Sequence, residues 1–209
     1  MTNILFVGAH PDDVELGCGG VIAKHLEDGD KVYILIMTIG DRGRHTPNLD
    51  ECYQSLRYLG IEENNIIFGN FKDTHVPYDG ASVDFIEELL RKHDINIVYA
   101  HYPEDTHQDH LNCSKAVSAA ARPRGSNSVN EIYLYESPST KKFEPHIFME
   151  ISEEHLQKKI NALKCYKTQI EKGIINIEAI QIQARLHSIK HKSKNYMEAF
   201  APNHILKRL

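Results

Sequence analysis

The stretch NILFVGAHPDDVELGCGG, Asn3 to Gly20, passes from a continuously apolar segment into one histidine and three carboxylates, His10, Asp12, Asp13 and Glu15. An apolar run with no polar alternation reads as a strand buried on both faces, the habit of parallel sheets. Two adjacent aspartates repel each other and add nothing to packing. Their place at the end of a buried strand therefore calls for a cation. A helix N-cap accounts for one aspartate, but not for a pair, a histidine and a matching second cluster further on.

Outward from this stretch, apolar runs alternate with helical spacing through about the first 140 residues. Asn3–Val7, Lys31–Ile39, Ile66–Phe71, Ile95–His101 and Glu131–Tyr135 read as strands. Gly19–Asp28, Leu49–Leu59, Ser82–His93 and Leu111–Arg122 read as helices between them. That order predicts an α/β fold: a single Rossmann-like, doubly wound, mostly parallel sheet with right-handed crossovers. After Pro145 the texture changes to a short strand, Phe148–Ile151, and two Lys- and Gln-rich helical stretches, Glu153–Glu171 and Ile177–Ile189. We read residues 1–209 as one domain, with about 146–209 as a C-terminal helical cap.

Composition narrows the functions available. The chain has 209 residues and a net charge of −5 with both signs mixed, which leaves no nucleic-acid footprint. Its four cysteines, Cys18, Cys52, Cys113 and Cys165, are widely spaced without a CxxC pair, as in reduced, buried thiols. No leader pattern and no apolar run near ~20 residues is seen, so the reading is cytoplasmic with no membrane span. The GCGG run lacks both the GxGxxG spacing and the GK[ST] ending of phosphate loops. Close helix–strand packing is the better use of Gly17, Gly19 and Gly20.

In open α/β sheets, ligands bind beyond the carboxyl ends of strands, where the strand order reverses. With the common order 3-2-1-4-5, strands one and four are neighbours at that point. His10-Pro11-Asp12-Asp13 follows strand one, and HYPEDTHQDH, His101 to His110, follows strand four. The two clusters then meet in one crevice. Two histidines and a carboxylate are a usual ligand set for a catalytic metal with an open position. His10, Asp13 and His110 are the ligands this reading selects. His107, three residues before His110, is left for acid–base work, and Asp12 is left as a base for a water at the metal.

AHPDDVELGCGG followed by HQDH resembles the paired signature of the LmbE-like, or PIG-L, zinc-dependent N-deacetylases. AAR, YES, F-x-P and Y-x-EAF extend the likeness over most of the chain. The resemblance implies a Zn2+ enzyme that removes acetyl groups from N-acetylglucosamine-type sugars and their conjugates. In the family's pattern the zinc ligands fall on His10, Asp13 and His110, the general base on Asp12, and the oxyanion or leaving-group helper on His107. Asp109 would hold one of the imidazoles in orientation. Family members often carry R-x-x-E after strand two. Here the matching glutamate is Glu51 and the arginine position reads Asn48. Arg42 and Arg44 are the substitutes expected to bind substrate. The expected partner is a small N-acetylated amino sugar or glycoconjugate, and a homo-oligomer fits an exposed site completed by a neighbouring copy. Two rivals use the same residues: an Fe(II) enzyme with a facial triad, and a non-catalytic sugar- or nucleotide-binding module.

Overall fold

The computed structural model describes residues 1–39, 49–122 and 129–207. Strand β1 (Asn3–Gly8) leads into helix α1 (Asp13–Glu27), followed by β2 (Lys31–Thr38), α2 (Leu49–Leu59), β3 (Ile66–Phe71) and α3 (Gly80–Lys92). Then come β4 (Ile97–His101), α4 (Gln108–Ala120), β5 (Glu131–Tyr135), β6 (Ile147–Ile151), α5 (Glu153–Leu163), α6 (Lys167–Glu171), α7 (Ile177–Lys190) and β7 (Tyr196–Ile205). All seven strands form one sheet in the order β3-β2-β1-β4-β5-β7-β6. The pairings from β3 to β5 are parallel, and β7 runs antiparallel to both β5 and β6.

The apolar runs are continuous because both faces of the sheet are covered. On β1, Ile4 and Phe6 enter one core while Leu5 and Val7 enter the other. On β2, Val32, Ile34 and Ile36 face the first core, and Tyr33, Leu35 and Met37 the second. Helices α1, α2 and α5 close the first face; α3 and α4 close the second. β1 lies between β2 and β4, so the reversal of strand order falls where the sequence placed it.

Three differences from the sequence reading have physical causes. Helix α1 begins at Asp13 rather than Gly19, so the acidic motif is its first turn and the glycines lie inside it. A Cβ on Gly17 would lie 2.2 Å from Tyr135 Cδ2, on Gly19 2.7 Å from Lys159 Cγ, and on Gly20 2.4 Å from Ile151 Cδ1. Only glycine lets the helix come this near, as the packing reading of these residues requires. The stretch Glu153–Glu171 divides into α5 and α6. The C-terminal segment is more than a helical cap, because β6 and β7 extend the sheet itself. β7 escaped notice because Pro202 demotes the run in which it lies. The proline sits opposite Tyr133 next to a register shift, where its missing N–H disturbs the ladder least.

Cys18, Cys52 and Cys113 are buried free thiols, and Cys165 is half-buried. Burial pushes the Cys18 thiol well up, which suits packing rather than catalysis. Among the described residues no helix is long and apolar enough to cross a membrane.

Candidate active site

The chain leaves β1 and turns sharply into α1. At that turn Asp12 occupies the N-cap with φ 90°, and its side chain makes no capping hydrogen bond. The ordinary role of an N-cap aspartate is thus not the one Asp12 fills. Asp13 instead ties the turn together, since Oδ2 accepts from the His10 backbone N–H at 2.8 Å. Past β4, His107 is the N-cap of α4, its Nδ1 accepting from Asp109 N–H at 3.2 Å. Asp109 and His110 therefore stand in the first turn of α4, facing the start of α1.

His10, Asp13 and His110 converge. His10 Nδ1 lies 3.3 Å from His110 Nε2 and 3.5 Å from Asp13 Oδ2, and His110 Nε2 lies 3.4 Å from Asp13 Oδ1. Ligands on a tetrahedral Zn2+ with bonds of ~2.0–2.1 Å are themselves about 3.3–3.4 Å apart. The donor set fits such an ion in kind, with the two imidazole nitrogens at this spacing from each other and each close to a different oxygen of Asp13.

His107, Asp73, Asp109 and His101 are also near enough to share an ion with these groups, but the orientations separate them. His10 turns Nε2 away, toward Asp109 Oδ2 and Asp73 Oδ1, each at 3.2 Å. His110 turns Nδ1 toward Asp105 Oδ2 at 3.1 Å and Ser137 Oγ at 3.2 Å. Each imidazole thus has one nitrogen on the cluster centre and the other on a carboxylate, the arrangement that fixes the tautomer of metal-ligating histidines. The Asp109 oxygens are also occupied by Thr74 N–H at 2.7 Å and Val76 N–H at 3.1 Å. The imidazole that Asp109 meets is therefore that of His10. His101 is fully buried, with Nε2 met by Ala9 N–H and Asp13 Oδ2 at 3.1 Å and by Tyr135 Oη at 3.2 Å. His107 is half-buried, its ring 4.6 Å from that of His10 and 4.7 Å from that of His110.

The electrostatics ask for positive charge. Burial pulls the His10 imidazole toward neutrality, but Asp109, Asp13 and Asp73 overturn this and push its pKa up to about 12. Burial, reinforced by Asp13 and Glu15, pushes the Asp12 carboxyl well above the usual carboxylate range. Asp13 is also buried, yet His110 and His101 hold it well below that range. Burial lowers His107, and the neighbouring His10 and His110 lower it further. A proton on His10 occupies the space a cation would take, so metal binding here releases protons.

Asp73, His101, Asp105 and Ser137 were missed as members of the site. Asp105 and His101 belong to the same HYPEDTHQDH run, which was the available signal; Asp73, past β3, had none. Glu51, matched above to the family's R-x-x-E pattern, accepts from Thr168 N–H at 3.1 Å and Thr168 Oγ1 at 2.7 Å, tying α2 to α6. Arg42, Arg44 and Asn48 lie outside the described residues.

A doubly wound sheet with two histidines and a carboxylate converging at its switch point, each histidine backed by a carboxylate, defines an α/β protein with a candidate metal centre. Both clusters fall within one family match: the chain belongs to the PIG-L family, whose model, described as GlcNAc-PI de-N-acetylase, matches residues 5–121. The chain is 34% identical over 179 residues to the uncharacterized deacetylase YaiS of Escherichia coli, covering 79% of this chain and 91% of that protein. It is 25% identical over 199 residues to the diacetylchitobiose deacetylase of Thermococcus kodakarensis, covering 82% and 72% of the two chains. In fold it is similar to the 4-carboxy-2-hydroxymuconate hydratase of Pseudomonas putida, with a TM-score of 0.81, 20% identity and full coverage of both chains.

Proposed function

We propose that this protein is a zinc-dependent hydrolase that removes the N-acetyl group from an N-acetylated amino sugar of the GlcNAc type, free or conjugated. The observation that carries the proposal is the convergence of His10 Nδ1 and His110 Nε2, 3.3 Å apart, on the Asp13 carboxylate, whose Oδ2 lies 3.5 Å from the first and Oδ1 3.4 Å from the second. Membership in a family of deacetylases supports the reaction class. A Zn2+ held by these three residues supplies Lewis acidity, polarising a carbonyl oxygen and lowering the pKa of a water to about 7.

The chain's own residues do the rest. Asp12 stands next to the cluster with no capping bond to occupy it, and takes the proton of the attacking water. His107, with Nδ1 held by Asp109 N–H, presents Nε2 to the developing oxyanion or to the leaving amine. Either Asp12 or His107 returns the proton to that amine. Asp109 and Asp73 hold His10, and Asp105 and Ser137 hold His110, so neither imidazole is free to swing. Arg42 and Arg44 are assigned to remote contacts with substrate. The chain is taken as one domain, working in the cytoplasm on small molecules.

Free amine should be measured after incubation with N-acetylglucosamine, its phospholipid and nucleotide conjugates and chitooligosaccharides. The protein should be metal-stripped, then reloaded with Zn2+ or with Fe2+ under exclusion of oxygen. We expect Zn2+ to restore amine release from at least one substrate. Release restored by Fe2+ alone, or oxygen consumption, would instead favour the facial-triad enzyme. No amine from any substrate with zinc bound would leave the binding-module reading.

A further inference from the structure

Beside the metal cluster lies a cavity of about 340 Å³ between α1, α5, α7 and the ends of β5 and β7. That volume falls within the range of small-molecule sites, roughly 300–1,000 Å³. Its wall contains Lys159, which is only 5% exposed. Lys159 Nζ donates to Glu198 Oε1 at 2.6 Å, and Glu198 also accepts from Gly20 N–H at 3.0 Å and Val21 N–H at 2.7 Å. Glu198 is therefore fully used, whereas the ammonium has three N–H groups and only one acceptor among the described residues. Across the cavity, both ring nitrogens of His187 are buried and lack a partner among the described residues. Glu136, also on the cavity wall, accepts from Gln183 Nε2 through Oε1.

Buried polar atoms without partners are costly, and the two His187 nitrogens are such atoms, sharing the cavity with the under-bonded Lys159 ammonium and with apolar Ile180 and Met197. Donors and acceptors mixed with apolar faces match a sugar ring, whose hydroxyls both give and accept and whose C–H faces are apolar. Two carboxylates against one ammonium disfavour a phosphate or a carboxylate ligand. Ser137, at the edge of the same cavity, bonds Asp105 Oδ2 at 2.7 Å and sits 3.2 Å from His110 Nδ1.

We propose that this cavity is a second carbohydrate subsite, taking an uncharged or amine-bearing pyranose through Lys159, Glu136 and His187. The ring can come from two sources. It is the remainder of the molecule whose acetamido group meets the metal cluster, which rests on the function proposed above, or it is a separate sugar, which does not.

The test is titration calorimetry of the metal-stripped protein with glucose, glucosamine and glucose 6-phosphate, which needs no catalysis. Glucose or glucosamine should bind, and glucose 6-phosphate at least tenfold more weakly. His187→Leu, and separately Gln183→Leu, which removes the cavity-lining amide that holds Glu136, should each weaken binding about three- to tenfold, the loss of roughly one hydrogen bond. Absence of binding by glucose and glucosamine, or binding undiminished by both substitutions, overturns the subsite. Where deacetylation is found, the same variants separate the sources. A rise in KM for N,N′-diacetylchitobiose but not for N-acetylglucosamine identifies the remainder of the substrate; unchanged KM for both, with glucosamine binding still weakened, identifies a separate sugar.

Discussion

Gly17→Ala tests the packing that brings α1 against the sheet. The new methyl would lie 2.2 Å from Tyr135 Cδ2, 2.6 Å from Cγ and 2.9 Å from Cε2, where carbon atoms prefer about 3.5–4.0 Å. The ring cannot easily retreat. Tyr135 is fully buried, its hydroxyl donates to Val7 O at 2.8 Å, and its ring centroid is 4.8 Å from that of His101. Overpacking costs about 1–3 kcal/mol, and a strained or broken buried hydrogen bond adds roughly 1–3 kcal/mol. Alanine returns about 1 kcal/mol of helix propensity. The balance is a loss of about 1–5 kcal/mol, centred near 3, or roughly 1 M in urea midpoint for an m-value near 2–3 kcal/mol/M. Gly80→Ala is the control: it opens α3, nothing lies within 4 Å of the added methyl, and stability should stay level or rise slightly. Because Tyr135 also touches the imidazole that faces Asp13, folded Gly17→Ala should hold zinc more weakly. A Gly17→Ala protein as stable as wild type, with the same m-value, would refute the close-approach argument.

Four further outcomes test the site. His10→Ala, Asp13→Ala and His110→Ala should each lose tightly bound zinc, because three ligands cannot spare one; stoichiometric zinc by elemental analysis in any of them would mean the wrong ligand was chosen. Asp12→Asn keeps the shape but cannot accept the proton, so kcat should fall about 10²–10⁴-fold with zinc retained. His107→Ala should lose a comparable factor, in kcat more than in KM; full activity in either variant removes its assignment. Asp105→Asn should leave the fold intact but lower zinc affinity about 10–100-fold by releasing His110, and an unchanged affinity in a chelator competition would show that the hydroxyls of Ser137 and Ser139, 3.2 and 3.3 Å from His110 Nδ1, suffice to hold the imidazole.

The parallel part of the sheet was legible because burial on both faces leaves β1, β2 and β4 as continuous apolar runs, separated by segments of helical spacing. β7 was not, since Pro202 and the polar end of the strand mask a segment whose ladder tolerates them beside a register shift. The start of α1 was hidden by its glycines, which look like a loop until Tyr135, Lys159 and Ile151 are known to lie against them. At the site, His10, Asp13 and His110 could be proposed together because the first two closely follow β1 and His110 opens the helix that follows β4, the neighbour of β1. The supporting carboxylates were harder. Asp73 reaches His10 from the far side of β2, in a loop whose path nothing local announces.

The left-handed backbone at Asp12, with φ 90°, sets stability against function at a single residue. Such a conformation in a residue other than glycine costs of order 1–3 kcal/mol. Asp12 is buried beside Asp13, so charge repulsion adds to the strain. Glycine at this position would relieve both. On the proposed role of Asp12 as the base, a selection for heat resistance alone would drift toward Asp12→Gly and yield a sturdier protein that has lost its turnover.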